Sequence, residues 1–92
     1  MIFITRYEVQ PSVRKAAIER FVKTGGAPPA GVKMLGRWHS ADGAFGIVIS
    51  ESDDIKAITK WNLAWNDLLT FDVRPAIDDQ GLAAALAEMQ SS

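Results

Sequence analysis

The sequence contains no cysteine among its 92 residues, and it contains a single histidine, His39. A chain without cysteine can form neither a disulfide nor a thiolate nucleophile. One histidine does not make the cluster that binds a transition metal, and no Ser-His-Asp or Cys-His motif is readable. We therefore expect no metal and no cofactor. The sequence assigns no catalytic residue and leaves open whether the protein is an enzyme.

The sequence also lacks an excess of charge of either sign. Ten basic and 11 acidic residues give a formal net charge of -1, whereas proteins that bind nucleic acids present a basic surface. No apolar run approaches the length of a membrane span, and Met1–Val9 lacks the basic region of a signal peptide. We expect a soluble cytoplasmic protein with no nucleic-acid partner and no membrane partner.

Apolar side chains, in contrast, are abundant and make up 48% of the residues. We expect one domain over residues 1–92, and a domain of this size buries only about 60–65% of the surface of its unfolded chain. Part of the apolar surface should therefore contact a partner. The simplest partner is a second copy of the chain, which predicts a homodimer.

The order of apolar residues predicts four strands and three helices. The strands are expected at 2–9, 32–40, 44–51 and 71–77, and the helices at 11–23, 53–69 and 78–89. Ser52 is expected to cap the second helix. The order β-α-β-β-α-β favours an α+β fold of the ferredoxin-like type, a four-stranded antiparallel sheet with two helices on one face. The C-terminal extension, residues 79–92, carries a helix too short to be stable unless it docks on another surface.

This order is shared with RNA-recognition modules, which stack bases on aromatic residues of the first and third strands. Those modules need a basic residue at the start of the third-strand motif and a second exposed ring within it. Here Gly43 and Ile47 occupy the two positions. RNA binding is therefore not expected, and the apolar residues of the strands are better interpreted as buried surface.

Two helices can cover only one face of the sheet, so the other face should contact the second copy. Asp42-Gly43 predicts a two-residue hairpin turn, which would place Trp38 opposite Ile47. For the dimer interface we predict the helix-free face, with the residues Phe3, Trp38, Phe45, Ile47 and Ile49.

His39 is expected on the opposite face from Trp38, near the end of its strand. A lone histidine at such a place is most often a solvated polar residue. The alternative is a general base or hydrogen-bond donor at the mouth of a pocket, with Arg37 nearby to hold an anion. The sequence leaves both interpretations open.

The second helix carries two tryptophans and one amide on its apolar face. Trp61 and Trp65 lie one turn apart and are typical of core anchors. Asn62 falls within the same face, where a buried amide must bond to the backbone, to a water or to a ligand. The aspartates before the second and third helices are explained by capping and by the helix dipole.

Several segments together resemble a bacterial family of small proteins, namely GGAPPAGVK, GRWHSADG, the glutamate that closes the third strand, and KWNLAWNDLLTFDVRPA. The resemblance covers about residues 1–78. The sequence departs from the family tendency at Arg74 and Ala76, where apolar residues are more usual. It implies a dimeric α+β barrel in which two ferredoxin-like sheets pack face to face. The family has no established activity and is distantly similar to the cofactor-independent monooxygenases of antibiotic biosynthesis.

Some of those monooxygenases and related barrels have a pocket between helices and sheet. This resemblance implies that Trp61, Asn62, Trp65 and His39 are ligand-binding candidates, with Tyr7 as an acid or hydrogen-bond donor, and Arg37 joins them as a candidate anion holder. Two functions stay open. One is a homodimeric barrel that binds a small organic molecule, as a binding protein or as an oxygenase without metal or flavin. The other is a non-catalytic interaction or scaffold domain with a solid core around Trp65.

Overall fold

The structure is a computed structural model that describes residues 1–91. Its strands are β1 (Ile2–Val9), β2 (Lys33–His39), β3 (Phe45–Glu51) and β4 (Leu69–Ala76), and its helices are α1 (Arg14–Thr24), α2 (Ile55–Leu63) and α3 (Asp79–Ser91). A single 3-10 turn, Pro11–Val13, leads into α1. Gly25 ends α1 with a φ of 71°, in the left-handed region that glycine adopts without steric cost.

The four strands form one antiparallel sheet in the order β2-β3-β1-β4. β1 and β2 run in the same direction on either side of β3, and β3 and β4 do so on either side of β1. Each helical connection therefore crosses over a neighbouring strand, as in a βαβ unit. The predicted ferredoxin-like fold, with its additional C-terminal helix, is confirmed.

Two predicted features of α2 differ in the structure. The helix ends at Leu63 and not at residue 69, because Leu69 already pairs with Val9 as the first residue of β4. Residues 64–68 between them form turns. The N-cap is Asp54, whose carboxylate accepts a hydrogen bond from the Lys56 amide at 2.9 Å. Ser52 is buried instead, and its hydroxyl donates to the carbonyl of Gly31 at 2.7 Å.

The hairpin between β2 and β3 keeps the predicted register but not the predicted turn. Trp38 pairs with Ile47 as expected. The loop is longer than two residues, because the Gly43 amide bonds to the Ser40 carbonyl at 3.0 Å and the Ser40 amide bonds to the Phe45 carbonyl at 2.8 Å. Ser40 also donates its hydroxyl to Asp42. A four-residue loop centred on Asp42-Gly43 gives the same strand alignment as a two-residue turn there.

One face of the sheet packs against α1 and α2. On β1 the alternation places Phe3, Thr5 and Val9 on this face, and all three are buried. From β3, Val48 and Ser50 stand opposite them and are buried as well. Phe3 therefore belongs to the core beneath the helices. Its predicted place on the helix-free face is wrong, because β1 is apolar on both faces near its start and its composition does not distinguish them.

The other face of the sheet is covered by no helix among residues 1–91. It carries the four remaining residues of the predicted interface, Trp38, Phe45, Ile47 and Ile49, together with Ile4. Trp38 is 63% exposed and its ring lies across Gly36, and Ile4 is 42% exposed. Polar groups border this apolar area, since the Arg74 guanidinium pairs with Asp72 on β4 at 2.9 Å. We call this area the open face.

The last helix, α3, extends away from the sheet and buries none of its residues. The molecule measures 52 × 28 × 19 Å with a radius of gyration of 15.6 Å, whereas a compact domain of this length has about 12 Å. Its accessible surface is 6486 Å², about 1,200 Å² more than expected for a compact 10 kDa monomer. Leu82 and Leu86 are each nearly half exposed. No helix within residues 1–91 is long and apolar enough to cross a membrane.

Candidate functional site

A cleft of about 270 Å³ opens between the helices and the end of the sheet where Tyr7 and Val9 lie. Side chains from both helices, from all four strands and from the turn after α2 line it. Most of them are apolar or aromatic: Val9, Ala17, Ile18, Phe21, Val48, Trp61, Trp65, Leu69 and Phe71. Its polar side chains are Thr5, Tyr7, Arg14, Arg37, His39 and Asn62.

The structure brings all six sequence-predicted site residues, Tyr7, Arg37, His39, Trp61, Asn62 and Trp65, to this one cleft. The sequence interpretation missed Arg14. A signal was present, since Arg14 shares the apolar side of α1 with Ala17, Ile18 and Phe21 at spacings of three, four and seven residues. A charged residue on an apolar stripe is the same kind of anomaly that identified Asn62.

Tyr7 and His39 are joined by a hydrogen bond between the phenol oxygen and Nδ1 of the imidazole. They lie on β1 and β2, which are separated by β3, so their side chains must reach across an intervening strand. The residue between them is Gly46, which pairs with both Tyr7 and His39. A Cβ on Gly46 would collide with the Tyr7 ring. Glycine at this position therefore makes the room that the hydrogen bond needs.

The protonation states of this pair follow from its surroundings. Partial burial raises the pKa of Tyr7, and the positive charge of Arg37 only partly offsets this increase. Partial burial and, second, the charge of Arg37 lower the pKa of His39. At neutral pH Tyr7 is therefore a phenol and His39 a neutral imidazole. Tyr7 donates its proton to Nδ1, which leaves the imidazole proton on Nε2.

Arg37 is held by the end of α1. Its Nη1 and Nη2 donate to the carbonyl oxygens of Gly26 and Gly25 at 2.8 and 2.9 Å, and its guanidinium stacks 4.8 Å from the centre of the Phe21 ring. Two of its donors are therefore used within the protein, so Arg37 fixes the loop after α1. The ring of His39 meets Phe21 edge-on, with 5.5 Å between ring centroids.

The turn after α2 forms the opposite wall and is held by Arg20. Its guanidinium forms two hydrogen bonds of 2.8 Å with the Asp67 carboxylate and one of 3.0 Å with the Ala64 carbonyl. It also lies 5.4 Å from the centre of the Trp65 ring. The hydrogen bonds from Arg20 lower the pKa of Asp67. This clamp joins α1 to the turn and holds Trp65 at the cleft.

Asn62 is half-buried at the C-terminal end of α2. Its side-chain nitrogen donates to the Ile58 carbonyl at 3.0 Å, and its Oδ1 makes no hydrogen bond with residues 1–91. In an α-helix the carbonyl of residue 58 also accepts the backbone amide of residue 62. The side-chain bond to Ile58 is therefore an additional one, and Oδ1 is free to accept a hydrogen bond from a ligand. Within residues 1–91 no three acidic, histidine or cysteine side chains cluster to hold a metal ion.

Comparisons with known proteins agree on the fold. A family model described as "Domain of unknown function (DUF3303)" matches residues 1–90, so the family likeness extends beyond residue 78 and includes nearly all of α3. No curated protein matches the chain. Among solved structures, Rv0793 from Mycobacterium tuberculosis is similar with a TM-score of 0.50 and 16% sequence identity, over 85% of this chain and 95% of that chain.

A second solved structure, of a candidate antibiotic biosynthesis monooxygenase from Deinococcus radiodurans, has a TM-score of 0.46 and 11% identity, over 85% of this chain and 94% of that one. At such identities the likeness to Rv0793 shows a shared ferredoxin-like fold and says nothing about activity.

Because His39 is the only histidine, its titration can be followed by its own NMR resonances. We expect a midpoint below 6.5 in the folded protein, since burial and the charge of Arg37 both favour the neutral ring. Arg37→Gln should raise the midpoint toward 6.5, whereas Lys33→Gln, which removes a charge on the opposite face of the same strand, should not. An unchanged midpoint in Arg37→Gln would contradict this electrostatic coupling. As the pH falls, His39 takes up its proton in the unfolded chain before it does so in the folded protein, because its pKa is lower in the folded protein. The free energy of unfolding should therefore decrease as the pH falls from 6.5 through the pKa of His39 in the folded protein.

Proposed function

This chain belongs to the DUF3303 family, and from the geometry of its cleft we propose that it binds a small organic molecule with a largely apolar body. The observation that supports this proposal is a cleft of about 270 Å³ with aromatic walls and a few converging polar groups. Binding sites for small molecules have this composition, because apolar walls supply affinity and isolated polar groups supply orientation. A scaffold domain with a solid core around Trp65 is less well supported, since Trp65 lines the cleft.

The proposed site has a division of roles. Trp61, Trp65 and Phe71 would contact the apolar body of the ligand from both sides of the cleft. Three groups can orient its polar part: the free Oδ1 of Asn62 as an acceptor, the Nε2 proton of His39 as a donor, and the phenol of Tyr7. Arg20 and Arg37 would act indirectly, because they hold the two walls of the cleft in place.

A cavity-filling variant tests the binding function. Ala17 is buried on α1 and faces the cleft, so Ala17→Leu should fill part of the cavity, whereas Ala16→Leu places the same side chain on the exposed side of the helix. In a thermal-shift screen of neutral and anionic one- and two-ring aromatic compounds, a ligand at tenfold its Kd should raise the wild-type Tm by about 5 °C or more.

Ala16→Leu should retain that shift, and Ala17→Leu should lose it while remaining folded by circular dichroism. If no compound shifts the wild type, or if Ala17→Leu responds as the wild type does, the cleft is not a binding site. Should Ala17→Leu not fold, the wild-type screen still decides whether the protein binds such molecules.

The hydrogen bond between Tyr7 and His39 favours a second function, removal of a proton from the bound molecule. The Tyr7 oxygen would accept a proton from the substrate while its own proton passes to Nδ1 of His39, which is neutral at physiological pH. The carbanion formed in this way can add dioxygen, which accepts two electrons as the C–O bond forms, and the resulting peroxide anion recovers the proton through Tyr7 and His39 to give a hydroperoxide. This is the oxygenase activity, without metal or flavin, that the sequence resemblance suggests.

Tyr7→Phe tests this catalytic role. With a compound identified by the thermal-shift screen, wild-type protein should consume dioxygen at a rate that Tyr7→Phe reduces by about 100-fold or more, because general acid–base groups typically contribute that factor. The affinity of Tyr7→Phe for the same compound should fall far less than this rate, because Asn62 and His39 still orient the ligand. Binding without oxygen consumption by the wild type would leave the binding function and remove the oxygenase.

We also propose that the protein is a homodimer through the open face. A second copy would cover Trp38, Phe45, Ile47 and Ile49, and it could provide the surface on which α3 packs. The excess exposed area of about 1,200 Å² is sufficient, because a standard interface buries about 800 Å² on each partner. A twofold axis would bring the same apolar area from both protomers together.

Ile47→Lys tests this interface. The lysine would place a charge without a partner at the centre of the contact, at a cost of about 3 kcal/mol or more, which weakens association by at least about 100-fold. Val22→Lys introduces the same charge on α1, where Val22 is 78% exposed. In sedimentation velocity at equal concentrations, wild type and Val22→Lys should be dimeric and Ile47→Lys monomeric or unfolded. A dimeric Ile47→Lys of unchanged stability would overturn the proposal.

A further inference from the structure

Among residues 1–91, two arginines and no carboxylate line the cleft. The arginines are Arg14 and Arg37, and no aspartate or glutamate joins them. The other three arginines of the chain, Arg6, Arg20 and Arg74, each form an ion pair with an acidic side chain. Within residues 1–91 the two cleft arginines form none. The positive charge at this site is therefore not neutralised by a salt bridge in the protein.

Arg14 has a hydrogen-bond donor to spare. Its Nη2 donates to the Val9 carbonyl at 3.3 Å, but its Nε is buried and has no hydrogen-bond partner. A buried donor without a partner is destabilising, and more so when the group is charged. An oxygen of a bound molecule placed against this atom would satisfy it, whereas an apolar molecule would leave it unpaired.

The carboxylate of Asp42 does not fill this role. Asp42 lies in the exposed hairpin loop, where its Oδ1 accepts hydrogen bonds from the Ser40 hydroxyl and the Ala44 amide. The pKa of Asp42 is lowered first by the bond from Ser40, and the charge of Arg14 is the smallest contribution. The charge of Arg14 thus lowers the pKa of Asp42 slightly, although the two side chains form no salt bridge.

Arg37 adds to the positive potential although two of its five donors are bonded within the protein. Its Nη atoms are bonded to the loop after α1, yet its charge reaches the cleft, where it lowers the pKa of His39 after the larger effect of burial. The remaining titratable groups that face the cleft are Tyr7 and His39. At neutral pH both are uncharged, so the net charge of the lining is positive.

We propose that the natural ligand is an organic anion, a monocarboxylate with an apolar body of about two rings, whose carboxylate pairs with the guanidinium of Arg14. This inference rests on the proposed binding function and specifies its ligand class. The size follows from the cavity, because an engineered cavity of about 150 Å³ holds one benzene ring, and the cleft here has about 270 Å³. The apolar body lies between Trp61, Trp65 and Phe71, and the carboxylate lies toward α1.

Two probes of equal shape test the charge. 2-Naphthoate and 2-naphthamide differ in charge and have nearly the same volume. By isothermal titration calorimetry at low ionic strength and pH 7.5, wild-type protein should bind 2-naphthoate at least tenfold more tightly than 2-naphthamide. Arg14→Gln should lose at least tenfold in affinity for 2-naphthoate and change its affinity for 2-naphthamide by less than threefold. Lys15→Gln, which removes the neighbouring exposed charge, should bind both probes as the wild type does.

The outcomes separate this inference from the function on which it rests. Equal wild-type affinities for the two probes would overturn the anion preference and leave the binding function intact. A preference that Arg14→Gln retains would overturn the role of Arg14. If the wild type binds neither probe and no compound of the thermal-shift screen, the binding function itself fails. If Arg14→Gln does not fold, the comparison of the two probes on wild-type protein still decides whether the ligand is an anion.

Discussion

The structure depends on the pairing of β1 with a strand on each side over nearly its whole length. Because side chains alternate along a strand, this register decides at once which residues meet the helices and which remain uncovered. Phe3, Thr5, Tyr7 and Val9 point toward α1 and α2. A shift of one residue would move Tyr7 out of the cleft and place Arg6 beneath the helices, where its charge would have no partner.

Along this face of β1 the packing changes from a core to a cleft. Near Phe3 the helices and sheet are in close contact, as the burial of Phe3, Ala57 and Ile58 shows. Toward Tyr7 and Val9 the two walls separate, and each is held by an arginine that bonds to backbone carbonyls. Arg37 fixes the loop after α1, and Arg20 fixes the turn after α2. Hydrogen bonds to the backbone thus hold both walls at the end of the sheet where the buried core gives way to the cleft.

On the opposite face of the same strands, apolar side chains are not covered by a helix. The helix α3 also exposes apolar side chains. Both features follow from the size of the domain, since two short helices cannot shield two faces of a four-stranded sheet. The cleft and the open face lie on opposite sides of the sheet. The same strands can therefore support binding of a small molecule on one side and association of two chains on the other.

The sequence by itself determined the strands, the order of the elements and the candidate residues, because these depend on local patterns. The β-branched and aromatic residues of β1 and the Asp42-Gly43 turn predict the sheet, and Asn62 and His39 are conspicuous as single polar residues in apolar surroundings. Only the tertiary structure decided the end of α2, the face on which Phe3 lies and the contacts within the cleft, because these features depend on contacts between residues distant in sequence. The pairing of Leu69 with Val9 ends α2 early. Phe3 lies in the core because it stands opposite a buried position on β3. Gly46 leaves the space that allows Tyr7 to reach His39. No local pattern shows that Arg14 and Arg37, 23 positions apart, share one cleft in which neither has an acidic partner among residues 1–91.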